Sequence, residues 1–350
     1  MTQAPANQGL PSDLTAPLAV TMGEPSGIGG EILIKAWLSR LTHDLPAFVA
    51  IDDPARLAAE AASLGVDVPI VRVSSARQAF DAFAHSLPVA ALDEPLSPPP
   101  IAGTPSVAHA EAVMGSIEIA TQWVFEGQAC AVVTNPIQKQ TLYEAGFRYP
   151  GHTEYLAALT GAEGAPVMML VSPQLKVVPV TIHMPLADVA QSLNTQTIIH
   201  AGRVTAAALR TDFGIKSPRL AVAALNPHAG EGGTLGTQER EIIAPAIEAL
   251  RQQGIRANGP HPADTLFHAR AREQADAVLC MYHDQALIPL KTLDFDQGVN
   301  ITLGLPIVRS SPDHGTALDI AGRGEARADS LIAAMKLAAS CAENRRKAIS

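Results

Sequence analysis

Short apolar runs rich in β-branched residues alternate with longer helical patterns along most of this 350-residue chain. Such alternation is typical of an α/β fold, in which successive strands are joined through helices. Hydrophobic residues make up 47% of the chain and charged residues 17%, which is enough apolar material for sizeable cores. The length is about twice that of a common domain, so we expect two domains or two lobes.

Polar motifs follow several of the predicted strands, at the points where the apolar runs end. These motifs are TNP at 134–136, HMP at 183–185, NPH at 226–228 and YHD at 282–284. Because ligands of open α/β sheets bind outside the carboxyl ends of the strands, we expect the motifs to line a single crevice.

Three histidines, His183, His228 and His283, each follow a predicted strand. Neutral imidazole binds Zn, Co, Mn or Ni, and three protein ligands leave coordination positions for water or substrate. No local motif ties the three together, so spacing alone favours separate structural histidines. Their repeated placement, with Asp284 adjacent and Asp264 upstream, favours one catalytic metal site. From spacing alone, both interpretations stay open.

Further polar residues are candidates for binding an anion. His152 and Thr153 open a predicted helix, where Thr153 can cap the helix and the imidazole can face an anion. Lys291, Asn300 and Arg309 are spread over two predicted strands and their approaches, and together they could converge on a phosphate. Taken separately, each of these three fits a solvated surface residue better than a phosphate ligand.

The charge and the cysteines exclude several classes of protein. A net charge of -9 argues against a nucleic-acid partner, which requires a basic face. No apolar run approaches the roughly 18 residues of a membrane span. Three cysteines without a CxxC pair indicate reduced thiols and a cytoplasmic location. Residues 1–15 are polar, and we expect them to be a disordered leader.

Taken together, the motifs resemble the 4-hydroxythreonine-4-phosphate dehydrogenase family of pyridoxal phosphate biosynthesis. The matching motifs, in chain order, are GEPSGIGGEI, TNPIQK, PGHTEYLA, VTIHMPL, NPHAGEGG, GPHPADTLF, MYHDQ and GVNITLGLPIVRSSPDHGTA. The resemblance runs from about Ala16 to Lys347 and is specific because so many motifs recur in the same order.

The resemblance implies an isocitrate/isopropylmalate-dehydrogenase-like fold, with two α/β lobes and a cleft between them. We expect residues 16–134 and 297–350 to form the first lobe, and residues 135–296 to form the second lobe with the dimer contacts. The family is a homodimer whose active site is shared between subunits, and it has neither a nucleic-acid nor a membrane partner.

The resemblance also implies roles for individual residues. Metal ligands map onto His183 and His228 of one subunit and His283 of the other. Candidates for proton transfer are Asp264, Asp284 and Lys291. The substrate-binding residues implied are His152 and Thr153 of one subunit, together with Lys291, Asn300 and Arg309 contributed by the other subunit. The cofactors are NAD or NADP and a divalent metal (Zn, Mg or Co), and the residues that bind the nicotinamide cofactor are not specified.

The implied reaction is the oxidation of 4-phosphooxy-L-threonine to 2-amino-3-oxo-4-phosphooxybutanoate, which decarboxylates to 3-amino-2-oxopropyl phosphate. One alternative is a related dehydrogenase acting on a cyclic dihydrodiol carboxylate or on another phosphorylated hydroxy acid. A second alternative, from another class, is a non-catalytic protein that binds a metal or a phosphate ester.

Overall fold

The computed structural model describes residues 16–349, so the leader predicted at residues 1–15 lies outside the described part of the chain. The chain divides into two compact units. One unit is Met1–Arg148 with His314–Ala339, and the other is Tyr149–Asp313 with Ser340–Ser350. Each unit has its own set of strands and helices.

The first unit carries a parallel sheet with the strand order β3-β4-β2-β1-β5. Its strands are β1 (Leu18–Thr21), β2 (Phe48–Asp52), β3 (Ile70–Arg72), β4 (Leu87–Ala91) and β5 (Ala131–Val133). Its helices are α1 (Gly29–Leu38), α2 (Pro54–Ser63), α3 (Ala76–Phe83), α4 (Ala110–Phe125) and α5 (Lys139–Glu144). Alternating strands and helices therefore produce the parallel pairing that the sequence pattern predicts.

The second unit carries a mixed sheet with the order β12-β11-β6-β7-β10-β8-β9. Its strands are β6 (Val167–Val171), β7 (Lys176–Pro179), β8 (Arg219–Ala223), β9 (Arg256–His261), β10 (Ala277–Cys280), β11 (Val299–Leu303) and β12 (Arg309–Pro312). Its helices are α6 (His152–Thr160), α7 (Leu186–Ser192), α8 (Thr195–Thr211), α9 (Ala244–Gln252), α10 (Ala269–Arg272) and α11 (His283–Leu293). The last helix, α12 (Asp329–Ile349), contributes residues to both units.

The bounds of these units differ from those predicted for the two lobes. The strands β11 and β12 belong to the second unit, because β11 pairs antiparallel with both β6 and β12. The prediction had placed residues 297–350 in the first lobe. Strand pairing over such distances has no local signal in the sequence, which is why the boundary shifts.

Local side-chain chemistry fixes where the helices begin. The Asp53 carboxylate accepts a hydrogen bond from the Ala55 amide at 2.8 Å and caps α2, which has proline at its first position. Asn194 caps α8 by accepting from the Thr197 amide at 3.0 Å. Each cap satisfies an amide that the helix itself leaves without an acceptor.

An apolar core in the second unit lies under the strands that carry the candidate site. Among its buried members are Val177 of β7, Ala221 of β8, Val278 of β10 and Leu290 of α11. This packing holds three neighbouring strand ends and one helix in fixed positions. Within the described residues, no helix has both the length and the apolar character needed to cross a membrane.

Candidate functional site

The three predicted metal-binding histidines follow three neighbouring parallel strands of the second unit. β10 lies between β7 and β8 and pairs parallel with both. His183 follows β7, His228 follows β8, and His283 begins α11 directly after β10. Adjacent strands are about 4.8 Å apart, so their carboxyl ends bring the three segments to one edge of the sheet.

Buried hydrogen bonds tie these three strand ends to one another. The Thr181 hydroxyl donates to the Met281 carbonyl at 2.8 Å, linking the segments that lead to His183 and His283. Gln285 accepts from the Met281 amide at 2.6 Å and donates to the Ala224 carbonyl at 2.7 Å. Gln285 therefore joins the start of α11 to the end of β8, a positioning role that the sequence alone did not reveal.

The imidazoles of His183 and His283 lie side by side within one chain. Their ring centroids are 6.1 Å apart and their planes are inclined by 40°. One cation bound at about 2.0–2.1 Å by a nitrogen of each ring, at a tetrahedral angle, would bring the centroids to roughly 5 Å, so the two rings lie about 1 Å too far apart for such a site. Nδ1 of His283 lies 2.7 Å from the Asp284 carboxylate, which fixes the tautomer with its lone pair on Nε2.

His228 lies on a turn with an unusual backbone. The turn Pro227–Gly233 contains five successive residues, His228 to Gly232, whose φ angles lie between 42° and 75°. Three of them (His228, Ala229 and Glu231) are not glycine, and each costs roughly 1–2 kcal/mol in this left-handed conformation. Backbone strain of this kind concentrates at functional sites, so it supports the prediction that this loop faces a ligand.

The strained turn is held by a buried carboxylate that the sequence reasoning missed. Glu239 is 6% exposed, and its Oε1 accepts from the amides of Leu225 at 2.9 Å and Asn226 at 2.7 Å. Its Oε2 accepts from Nδ2 of Asn226 at 2.9 Å. The only signal in the sequence was the position of this glutamate at the end of the glycine-rich run.

Imidazole nitrogens and carboxylate oxygens are suitable ligands for a divalent cation, but the described residues of one chain do not bring three such groups together. Among residues 16–349, no group of three or more His, Cys, Asp or Glu side chains is close enough to hold a metal ion. In histidine-metal sites, a carboxylate commonly accepts the ring N–H that does not face the metal, and His283 beside Asp284 has a hydrogen bond of this kind. The family resemblance placed His183 and His228 in one subunit, whereas the pair brought together within this chain is His183 and His283.

The predicted anion site at residues 152 and 153 differs from expectation in one detail. α6 begins at His152 and its N-cap is Gly151, so Thr153 lies inside the first turn and does not cap the helix by a side-chain hydrogen bond. The prediction of Thr153 as the cap was therefore wrong, because the glycine takes the extended position before the helix. Both residues still lie at the positive end of the helix dipole.

Asn300 and Arg309 share one face of the β11–β12 hairpin. Arg309 lies opposite Thr302, and Asn300 lies opposite Ser311 on the same side of the ribbon. The Arg309 guanidinium is 3% exposed and donates to the Thr302 hydroxyl at 2.9 Å. Burial lowers its pKa to about 10, although the nearby Glu154 carboxylate opposes this shift.

Asn300 carries a polar atom with an unmet hydrogen-bonding need. Its Oδ1 is buried and has no hydrogen-bond partner among the described residues. A buried acceptor of this kind loses its hydration without compensation, so a donor from a bound ligand would stabilise it. Together with the buried Arg309 cation, it gives this face of the hairpin groups that suit a polar, anionic ligand.

The three candidates for proton transfer have different surroundings. Lys291 makes an ion pair with Asp313 at 3.0 Å. Asp284 is exposed but already engages the His283 ring. Asp264 is exposed on a short turn, Ala263–Thr265, which packs against the left-handed turn that carries His228. Asp264 therefore lies on a segment that contacts the turn of His228, and it is not the carboxylate that engages the His283 ring.

Known proteins resemble this chain along almost its whole length. A family model described as pyridoxal phosphate biosynthetic protein PdxA matches residues 44–338. The 4-hydroxythreonine-4-phosphate dehydrogenase of Caulobacter vibrioides is 56% identical over 335 residues, which cover 94% of this chain and 98% of the relative.

Solved structures show the same fold. The crystal structure of 4-hydroxythreonine-4-phosphate dehydrogenase from Klebsiella pneumoniae matches with a TM-score of 0.81 at 37% identity, covering 94% of this chain and 100% of that chain. A terephthalate 1,2-cis-dihydrodiol dehydrogenase from Burkholderia xenovorans matches with a TM-score of 0.62 at 25% identity, covering 93% and 98%.

The chain has a mixed α/β fold with histidines and cationic side chains around strand ends, and its relatives are named as dehydrogenases. These features together define an oxidoreductase. Within that class, the chain belongs to the PdxA family of pyridoxal phosphate biosynthetic proteins.

Proposed function

We propose that the chain oxidises 4-phosphooxy-L-threonine to 2-amino-3-oxo-4-phosphooxybutanoate with NAD or NADP, and that this product decarboxylates to 3-amino-2-oxopropyl phosphate. The observation that carries the proposal is the His183–His283 pair, 6.1 Å apart beyond adjacent strands, in a chain whose relatives are named for this activity. The reaction serves pyridoxine 5'-phosphate biosynthesis.

In this proposal, His183, His228 and His283 hold one divalent cation (Zn, Mg or Co). When bound, the cation supplies Lewis acidity toward the oxygens of the substrate, and the nicotinamide ring accepts the hydride. Asp284 keeps Nε2 of His283 as the ligating atom, because its carboxylate holds the proton on Nδ1.

The phosphate of the substrate is bound by the chain's own cations and helix terminus. The buried Arg309 offers two parallel donors, and His152 and Thr153 lie at the positive end of α6. Lys291 adds a point charge beside Asp313, and Asn300 offers its buried oxygen to a donor of the substrate. These contacts orient the substrate at a distance from the reacting carbon, which lowers the entropic part of the barrier.

Asp264 is the proposed acceptor of the hydroxyl proton. Lys291 is engaged in an ion pair with Asp313 at 3.0 Å. Asp284 is engaged with His283. Asp264 has neither constraint and lies against the turn of His228.

We propose further that the protein is a cytoplasmic homodimer of the isocitrate/isopropylmalate-dehydrogenase-like architecture. Four large apolar side chains follow the predicted site residues closely in the sequence and are exposed in the single chain, which supports burial by a second copy. These side chains are Leu186, Leu235, Ile288 and Phe295. Three free cysteines, two of them buried, support a reducing compartment.

The assay follows reduced nicotinamide after 4-phosphooxy-L-threonine is added to metal-stripped protein that has been reloaded with Zn, Mg or Co. We expect turnover with this substrate and a loss of at least about a hundredfold in H183A, as expected when a catalytic metal ligand is removed. A second substrate, a cis-dihydrodiol carboxylate, is included because of the likeness to the dihydrodiol dehydrogenase, and because arginine also binds carboxylate. Turnover of the diol alone would replace the proposed substrate.

Mixing H183A with H283A decides how the histidines are divided between subunits. If His283 reaches the partner's site, the mixed dimer contains one intact site and regains activity. If His183 and His283 serve the same site within one chain, as their adjacency favours, no mixture regains activity. Co-purification of untagged H283A with affinity-tagged H183A serves as the control for subunit exchange.

A further inference from the structure

We infer that Glu239 is a positioning residue for His228, acting through Asn226 and the turn between them. The inference rests on the proposed function, since it concerns how the metal site of that reaction is held.

The carboxylate of Glu239 fixes the two residues that lead into the turn. Both amides, of Leu225 and Asn226, donate to Oε1, and the Asn226 side chain donates to Oε2. Because these residues directly precede Pro227 and His228, their orientation determines the direction in which the His228 side chain leaves the backbone. A buried carboxylate with three donors from one segment holds that segment more firmly than any backbone pairing within the turn.

The turn itself packs onto the same carboxylate. A methyl group added at Gly230 would lie 2.6 Å from Oε2 of Glu239 and 2.9 Å from the Gly236 carbonyl oxygen. The glycine therefore allows a close approach that no other residue permits. The left-handed backbone from His228 to Gly232 is thus pressed against Glu239 on one side and tied to it through Asn226 on the other.

Glu239 is placed for this role by an irregularity in its own helix. It is the first residue of a π-helical turn, Glu239–Ile243, which precedes α9. An inserted residue of this kind rotates the side chains at a helix start and is common near functional sites. Nδ2 of Asn226 also donates to Oε1 of Gln238 at 2.8 Å. Two successive side chains at the helix start, Gln238 and Glu239, therefore bind Asn226.

The test exchanges the hydrogen-bond donor at Asn226 and the acceptor at Glu239. In E239Q, one oxygen still accepts from the two backbone amides, but the new NH2 group faces the NH2 group of Asn226. We expect the affinity for Co²⁺ alone to fall about tenfold or more and its visible absorption spectrum to change, because the carboxylate that positions a metal ligand is lost. In E239Q/N226D the donor and acceptor are exchanged, the Gln238 amide can rotate to donate, and Co²⁺ affinity should return to within about threefold.

A matched control comes from another buried glutamate. Glu31 is fully buried, accepts from the Ala326 amide at 2.8 Å and pairs with Lys35 at 2.7 Å. E31Q should lower the melting temperature without changing Co²⁺ affinity or its spectrum. If E239Q does not fold, the milder N226A removes only the side-chain hydrogen bonds of Asn226 to Gln238 and Glu239, and it should lower the affinity for Co²⁺ by about threefold to fivefold.

The outcomes separate this inference from the proposed function. If the wild-type protein binds Co²⁺ and E239Q binds it equally, with the same spectrum, the inference is overturned and the proposed metal site stands. If E239Q binds weakly and the exchange variant does not recover, the role assigned to the Asn226–Glu239 pair is overturned. Absence of Co²⁺ binding by the wild-type protein overturns the metal site and, with it, this inference.

Discussion

Two neighbouring glycines of the turn that carries His228 allow a sharply controlled test of its packing. Gly230 and Gly232 both have positive φ, at 75° and 69°, so alanine at either position incurs a similar backbone penalty of roughly 1–2 kcal/mol. Their surroundings differ. A methyl group at Gly232 meets nothing within 4 Å, whereas at Gly230 it would lie 2.6 Å from the Glu239 carboxylate.

The difference between the two variants is therefore a packing term. Glu239 cannot move away without giving up hydrogen bonds to Leu225 and Asn226, and overpacking of this kind costs about 1–3 kcal/mol. We expect G232A to lose about 1–2 kcal/mol and G230A about 2–5 kcal/mol of unfolding free energy. For a unit of this size, each kcal/mol corresponds to about 2–4 °C in melting temperature.

Thermal unfolding followed by circular dichroism measures the difference, and hydrogen exchange of the amides at 226–236 shows whether the strain stays local. G230A should also weaken Co²⁺ binding, while G232A should bind as the wild type does. The reasoning is refuted if G230A is no less stable than G232A, or if both variants bind Co²⁺ equally well.

Three further predictions address other parts of the site and the fold. D284N removes the acceptor for Nδ1 of His283, so metal affinity measured by calorimetry should fall about 10–100-fold; an unchanged affinity would contradict the orienting role. R309K keeps the charge but loses the planar fork, so kcat/KM for the phosphorylated substrate should fall at least about tenfold, mostly through KM. Burial alone would raise the pKa of Asp276, but hydrogen bonds from Arg219 outweigh burial and lower it. A lowered carboxyl pKa stabilises the fold above the unfolded pKa, so D276N should lose about 1–3 kcal/mol at neutral pH, as measured by urea unfolding. That loss should shrink as the pH falls below about 4, and a loss independent of pH would contradict it.

The bounds of segments with a clear apolar periodicity could be predicted from the sequence. The apolar pattern predicts a helix over Thr195–Thr211 and a strand over Val299–Leu303, and the structure has both at these bounds. No strand is predicted at Arg256–His261, because its sequence, RANGPH, shows no apolar alternation and the strand forms through pairing with β8. The pattern predicts one helix over 238–253, but the π turn Glu239–Ile243 interrupts it at its start.

The site was predictable only in part, for physical reasons. That polar residues follow strands is a local property, and His183 and His283 do come together. That β10 lies between β7 and β8 depends on tertiary pairing, which leaves no trace in spacing. The left-handed backbone at His228 is also imposed from outside the turn, by Asn226 and Glu239, against the intrinsic preference of its residues.

The strand order of the second unit has a consequence for how the protein is made. β7 and β8 leave the ribosome before β10, the strand that finally separates them. During synthesis their apolar edges are both unpaired, and premature pairing with each other would exclude β10 and prevent His283 from reaching His183. The proposed metal ligands are therefore brought together late, through contacts of long sequence separation that slow folding. A nascent chain released before residue 277 would contain two of the three histidines and would lack β10, the strand whose end carries the third.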